Sequence, residues 1–362
     1  MTRFSAFDHA MMRRALELAE TGLYTTTPNP RVGCVITREE KIVGEGWHER
    51  AGGPHAEVVA LEKAGSAAVG ATAYVSLEPC NHHGRTPPCV EALKKAKVKR
   101  VVAAMRDPNP KASQGGQALE AAGLRFEHGL MADEARELNI GFVSRMTRGR
   151  PWVRLKVAAT LDGRTALADG KSQWITGAEA RRDGHRWRAR ACAILTGAGT
   201  VRDDDPRLTV REVQTSRQPL RIVVDSKLET PPTAKILQGG GVLVAAAQED
   251  KAKIAALQAR GAEVLVMPNS AGKVELGELF RGLARRGMNE VHVEAGPRLN
   301  GSLLQEGQVD EFLIYLAPSI IGDAARGMFH LPELTELAGR RQLKILDTRM
   351  IGPDIRVVAR FA

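Results

Sequence analysis

Twice along this chain, apolar runs of strand length alternate with stretches of helical length, on either side of a basic segment, Thr147-Arg148-Gly149-Arg150-Pro151. Strand, helix and parallel strand in succession bury a sheet beneath helical layers, so the alternation restricts each half to an α/β architecture. At 362 residues the chain also exceeds what one hydrophobic core usually organises. The reading is two domains, residues 1–147 and 148–362, with a new strand pattern starting at Trp152. In the first, Val32 to Thr37 and Ile42 to Trp47 predict a hairpin across Arg38-Glu39-Glu40-Lys41. Ala56 to Ala64 and Pro88 to Ala96 predict helices, and Ala73 to Leu77 and Val101 to Met105 predict strands of a mainly parallel sheet. In the second, strands are expected at Val153 to Ala158, Ala193 to Thr196, Leu220 to Asp225, Val242 to Ala245, Val264 to Met267, Val291 to Glu294 and Phe312 to Ala317. Helices are expected at Ala178 to Arg190, Asp250 to Arg260 and Leu276 to Arg286.

The N-terminal stretch interrupts its apolar residues with Asp8, Arg13, Arg14 and Glu17, as an amphipathic helix does and a signal peptide does not. No run approaches the ~20 consecutive apolar residues of a membrane helix. Cys34, Cys80, Cys89 and Cys192 are too few and too unevenly placed for a disulfide framework. A cytoplasmic protein without a membrane partner is expected. The net charge of +10 is spread over both halves, and Phe, Trp and Tyr together make up only 4%. A nucleic-acid surface concentrates basic charge and interleaves stacking aromatics, so no nucleic-acid partner is expected. A phosphorylated small molecule accounts for a modest basic excess.

The sharpest local signal is His55-Ala56-Glu57, followed by Pro79-Cys80 and, after eight intervening residues, Cys89. One imidazole and two thiolates give a zinc ion three protein ligands and leave a fourth position for water, the composition of a catalytic site. Glu57 stands two residues beyond the histidine, where a carboxylate can move protons between that water and a leaving amine. Cys80 and Cys89 flank or open a predicted helix, whose N-terminus favours thiolates. A structural zinc module is the competing reading and would add His48, His82 or His83 as a fourth ligand. A nucleic-acid or nucleoside deaminase with an accessory domain would use the same centre.

The stretch Ala73-Tyr74-Val75-Ser76-Leu77-Glu78-Pro79-Cys80-Asn81-His82-His83-Gly84-Arg85-Thr86-Pro87-Pro88-Cys89 resembles the signature of diaminohydroxyphosphoribosylaminopyrimidine deaminases. Its cysteine spacing is longer than the C-x-x-C of cytidine and adenosine deaminases. The resemblance implies a cytidine-deaminase-like three-layer α/β/α domain. It makes His55, Cys80 and Cys89 the ligands of one zinc ion and Glu57 the catalytic proton shuttle. Asn29, in the loop Asn29-Pro30-Arg31-Val32-Gly33, together with His48 and Arg85, is implied to bind substrate, with Arg85 towards its phosphate.

In the second half Gly197-Ala198-Gly199-Thr200 follows a strand, and Glu294-Ala295-Gly296-Pro297 leads into a helix near Asn300-Gly301-Ser302. A strand end meeting a helix N-terminus suits an anion. With Lys156 to Arg164, Ser172 to Thr176, Asp204 to Thr209 and Val224-Asp225-Ser226, these segments resemble the reductase of the same pathway, a dihydrofolate-reductase-like α/β domain. The resemblance implies an NADPH site at Ala158, Trp174, Thr200, Asp204, Ser226, Gly296, Pro297, Arg298, Leu299, Asn300, Gly301 and Ser302. Ser172, Arg188, Leu208, Arg211 and Glu294 would hold the ribose phosphate substrate, and Lys156 or Asp204 would move a proton. After Ser226 the segment Lys227-Leu228-Glu229-Thr230 departs from the Arg-bearing version of the family, with Lys227 the cation offered to the cofactor's 2'-phosphate. Together the two halves imply a bifunctional enzyme of riboflavin biosynthesis. It would deaminate 2,5-diamino-6-(5-phosphoribosylamino)pyrimidin-4(3H)-one and reduce the ribose of 5-amino-6-(5-phosphoribosylamino)uracil, and it is expected to be a homo-oligomer.

Overall fold

The computed structural model describes residues 4–84 and 86–362. The chain divides into two compact units, residues 1–149 and 150–362. Among the described residues, the first unit holds strands β1 (Gly33–Arg38), β2 (Lys41–Trp47), β3 (Thr72–Val75), β4 (Arg100–Ala103) and β5 (Arg125–His128). Its helices are α1 (Ala6–Glu20), α2 (Ala56–Ala64), α3 (Cys89–Lys95), α4 (Gly115–Ala121), α5 (Ala132–Leu138) and α6 (Ile140–Arg148). The strands form one sheet in the order β2-β1-β3-β4-β5. β1 is antiparallel to both its neighbours, whereas β3, β4 and β5 are parallel.

Side chains alternate across the sheet with period two. Cys34, Ile36, Ala73, Val75, Val101 and Ala103 pack with Ala60, Leu93 and Leu119 of α2, α3 and α4. Val35, Tyr74 and Val102 face the other way and pack with Met12 of α1, Ala135 of α5 and Phe142 of α6. The result is a three-layer α/β/α unit. The expected hairpin forms, and its two turn residues Glu39 and Glu40 take φ values of 52° and 58°, the left-handed conformation that lets a two-residue connection follow the strand twist. Ser5 caps α1 and exchanges hydrogen bonds with Asp8.

The second unit contains β6 (Trp152–Thr160), β7 (Arg164–Ala166), α7 (Ala178–Arg190), β8 (Ala193–Gly197), α8 (Ala198–Asp204), β9 (Leu220–Val224), β10 (Val242–Ala246), α9 (Lys251–Gln258) and β11 (Ala262–Val266). It continues with α10 (Leu276–Arg285), β12 (Glu290–Val293), α11 (Pro297–Gln305), β13 (Glu311–Ala317), β14 (Arg326–Gly327), β15 (Leu343–Ile351) and β16 (Asp354–Phe361). Among the described residues one sheet runs β11-β10-β9-β8-β12-β6-β13-β16-β15, parallel from β11 to β13 and antiparallel over the last two strands. Leu155, Leu195 and Val293 pack beneath Phe280 of α10 and Leu303 of α11. On the opposite face Ile194 and Val223 meet Val201 of α8 and Leu257 of α9, and Tyr315 meets Ala180 of α7. Among the described residues no helix is long and apolar enough to cross a membrane.

Candidate functional site

His55 is the N-cap residue of α2 and Glu57 lies in its first turn. The helix sits hard against β2 because Gly44 and Gly46 carry no side chain. A Cβ there would collide with the carbonyls of Ala60 and Ala56. That close approach sets the depth at which His55 and Glu57 enter the unit. Cys80 lies in the loop leaving β3, and Cys89 is the first residue of α3. Gly115 seats the Cys80 loop in the same way, since a Cβ there would strike the carbonyl of Pro79.

His55 Nδ1 stands 3.1 Å from Cys89 Sγ and 3.5 Å from Cys80 Sγ. The three ligand atoms lie within 4.8 Å of one another, and among the described residues His48, His82 and His83 do not join them. Ligands bonded at about 2.0 to 2.3 Å to a tetrahedral zinc stand roughly 3.5 Å apart. The donor set and its spacing therefore fit zinc with one open position. With Nδ1 turned towards the sulfurs, His55 Nε2 donates to Thr86 Oγ1 at 3.2 Å, which fixes the ring. The Cys89 side chain, and His55 with it, draw the Cys80 thiol down to about 4 against the effect of burial. Cys80 and burial together hold Cys89 well above its ordinary value. A divalent cation favours the thiolate at both positions. Burial raises the proton affinity of Glu57, and His55 opposes it. A carboxyl whose proton affinity is raised in this way is better suited to accept a proton and give it back.

His55, Glu57, Cys80 and Thr86 line a cavity of about 440 Å³ that also takes in Asn29, His48, Asp107, Asn109 and Arg145, a size suited to a nucleotide-like molecule. His48 Nδ1 lies 2.9 Å from the Pro54 carbonyl, so that nitrogen carries the proton and Nε2 accepts from Asn29 Nδ2 at 3.0 Å. The Asn29 amide is thereby oriented, with its carbonyl oxygen turned away from His48. Arg85 lies outside the described residues. Sequence reasoning missed Asp107 and Asn109. Their signal is their place just beyond the carboxyl end of parallel strand β4, where α/β sheets gather ligands. Glu78 holds that loop, accepting from the N–H of Asp107 at 3.1 Å and of Gly116 at 2.8 Å. Burial pushes Asp107 up to about 7.

In the second unit the sheet order explains why distant segments meet. Ser226 follows β9, Thr200 follows β8 and Gly296 follows β12, while Ala158 lies on β6. Those four strands are consecutive neighbours, so the implied cofactor residues share the carboxyl edge of a parallel sheet. Gly296 caps α11 and Pro297 opens it. Arg298 is exposed and Leu299 and Ser302 half-buried, whereas Asn300 and Gly301 are buried. Asn300 Nδ2 donates to the carbonyl of Met328, so this amide braces the helix. Trp174 is 70% exposed and stacks on Arg181. Ser172 Oγ donates to Asp204 at 2.9 Å, and burial raises the Asp204 carboxyl.

Arg188 grips Glu294 with two hydrogen bonds, and Lys156 Nζ stands 3.9 Å from the same carboxylate. Burial favours the protonated form of Glu294, but Arg188 overrides it and keeps the carboxyl well below its usual value. Burial lowers Lys156. Arg188 is thus turned to Glu294, while Arg211 is exposed and donates to Thr209. The Leu208 side chain is buried in the core with Ile194 and Val223. Lys253, which sequence reasoning also missed, donates to the carbonyl of Lys227 at 3.1 Å, bringing its ammonium to the residue that follows Ser226.

Residues 151–357 match the model of the RibD C-terminal domain, and residues 5–105 match that of the cytidine and deoxycytidylate deaminase zinc-binding region. The chain belongs to the RibD family. The riboflavin biosynthesis protein RibD of Escherichia coli is 49% identical, over 96% of this chain and 98% of its own. That of Haemophilus influenzae is 45% identical, over 99% and 98%. The structure of Acinetobacter baumannii RibD superposes with a TM-score of 0.91 at 44% identity, covering 98% of this chain and 99% of its own. Like the rest of the RibD family, the chain joins a zinc-type deaminase domain to a reductase domain and serves riboflavin biosynthesis.

Proposed function

We propose that the first unit hydrolyses the exocyclic amine of 2,5-diamino-6-(5-phosphoribosylamino)pyrimidin-4(3H)-one, and that the second reduces the ribose of the resulting uracil with NADPH. The convergence of His55, Cys80 and Cys89 beside the buried Glu57 carries the first half of this reading. His55, Cys80 and Cys89 would hold a zinc ion, which would supply the Lewis acidity that makes a bound water more acidic. Glu57 takes a proton from that water and delivers it to the departing ammonia. Asn29, fixed by His48, and Asp107 with Asn109 bind the ring edge, and Arg85 the phosphate.

In the second unit Ala158, Trp174, Thr200, Asp204, Ser226 and residues 296–302 would hold NADPH, which would supply the hydride. Ser172, Arg211 and the backbone at Leu208 hold the ribose phosphate, and Glu294, clamped by Arg188, orients the sugar. Lys156, whose ammonium burial makes more acidic, protonates the ring oxygen as the ribose opens. The enzyme works in the cytoplasm, in keeping with four free cysteines. It forms a homo-oligomer through the edge strand β15, where Ile345 and Met350 are 63% and 61% exposed.

Mass analysis of the product made from the diaminopyrimidine, with and without NADPH, tests the sequence of reactions. Replacement of an amine by oxygen without NADPH, then a gain of two hydrogens with it, is expected. Product lacking the first change, or gaining hydrogens while the amine is retained, contradicts it.

A further inference from the structure

Helix α7 is charged or polar at most positions, yet it buries Asp183 and His185. Polar side chains taken out of water need partners. Asp183 accepts from Tyr315 and from Arg356. His185, 6% exposed, meets the backbone of a distant segment, its Nδ1 standing 3.3 Å from the N–H of Arg211. A backbone N–H can only donate, so Nδ1 accepts, and the imidazole is the neutral tautomer with its proton on Nε2. Burial and the charges of Arg188, Arg211 and Lys156 draw His185 down to about 4, with Glu294 opposing. The acceptor nitrogen is therefore retained at every pH well above that value.

This imidazole is one of two grips that α7 has on the segment around Leu208 and Arg211. Three residues further on, hence on the same side of the helix, Arg188 donates through Nη1 to the Thr209 carbonyl at 3.3 Å while its other nitrogens hold Glu294. Gln218 adds a third hold, pairing with the N–H and the carbonyl of Val210 at 2.8 and 3.0 Å. Thr209, Val210 and Arg211 are thus fixed one after another by side chains, although they lie outside every strand and helix. The exposed Arg211 guanidinium donates to Thr209 Oγ1 at 3.0 Å. Where it can reach is set by where its backbone is held.

We infer that His185 is a positioning residue of the reductase: by accepting the Arg211 N–H, it sets where the Arg211 guanidinium meets the substrate. The inference rests on the reductase reading above. It makes α7 a single brace for two parts of the site, with Arg188 on Glu294 and His185 on Arg211. The role needs an uncharged acceptor at the Nδ1 position. Asparagine places its Oδ1 there, whereas glutamine carries its oxygen out towards the Nε2 position and leucine has no acceptor.

The test compares wild type with His185→Leu, His185→Asn and His185→Gln, each given 5-amino-6-(5-phosphoribosylamino)uracil and NADPH. His185→Leu should raise the KM for the phosphoribosyl substrate by about 2- to 10-fold, the range of one net hydrogen bond, with kcat and the KM for NADPH unchanged. His185→Asn should restore most of the loss, and His185→Gln should not. Inhibition by ribose 5-phosphate should weaken and recover in the same order. If His185→Leu does not fold, the contrast between His185→Asn and His185→Gln decides. An unchanged substrate KM in His185→Leu, equal losses in His185→Asn and His185→Gln, or a parallel rise in the KM for NADPH overturns the inference. Wild-type protein that oxidises no NADPH with this substrate would instead overturn the reductase reading.

Discussion

In the first unit the proposed reacting groups come from short segments around His55, Cys80 and Cys89, brought to one point by glycines that let a helix and a loop approach closely. In the second, Lys156, Arg188 and Glu294 come from β6, α7 and the end of β12, and they hold one another through ion pairs. The difference follows from the chemistry. A metal centre needs residue types with no structural substitute, so its ligands stand out in sequence. A reductase whose cofactor carries the hydride needs only placement and charge, and its residues are ordinary charged side chains until the fold unites them.

The sharpest break in this comparison is expected from Cys80→Ser. Removing one of three ligands should empty the metal site and abolish ammonia release, while NADPH oxidation with the deaminated intermediate continues. Full zinc retention, measured by metal analysis, would remove Cys80 from the ligand set. The mirror experiment is Arg188→Met, which leaves the half-buried Glu294 carboxylate without its bidentate partner. Loss of one partner of such a pair costs about 3–5 kcal/mol, so reduction should fail and the Tm should drop, with ammonia release retained. A variant with normal NADPH kinetics contradicts the clamp. The smallest effect is expected at the cofactor's far end. Lys227→Glu should lower the ratio of kcat/KM for NADPH over NADH by about 10-fold, the order of one charged contact. An unchanged ratio would leave Lys253 as the cation to test beside Ser226.

The same contrast governs what could be read from the sequence. The cluster of His55, Cys80 and Cys89 was legible, with Glu57 beside it, because these residue types at this spacing suit one chemistry. The α/β character was legible because Cys34, Ile36, Ala73 and Val75 sit in apolar runs that both faces of the sheet require. Residues 115–148 were not read as elements, since α4 and α5 are short and expose much of their surface. The hairpin β15–β16 was also missed. As the outermost strand, β15 leaves nearly every side chain exposed, so no alternation marks it. Asp107 and Arg145 escaped because a lone aspartate or arginine gains meaning only from the cavity wall it occupies. In the second unit the pairing of Arg188 with Glu294 was not legible for a related reason. The Arg188 partner, Glu294, lies 106 residues away in sequence.

The central claim is that Glu57 moves the proton in the first unit while the second unit works independently. Glu57→Gln preserves the side chain's size but removes its capacity to accept a proton. On a single preparation, zinc content, ammonia release and NADPH oxidation with supplied deaminated intermediate should be measured together. The account predicts one zinc per chain, ammonia release lowered by about 10²- to 10⁴-fold, and undiminished NADPH oxidation. Near-normal ammonia release, or loss of both activities in a folded protein, would contradict it.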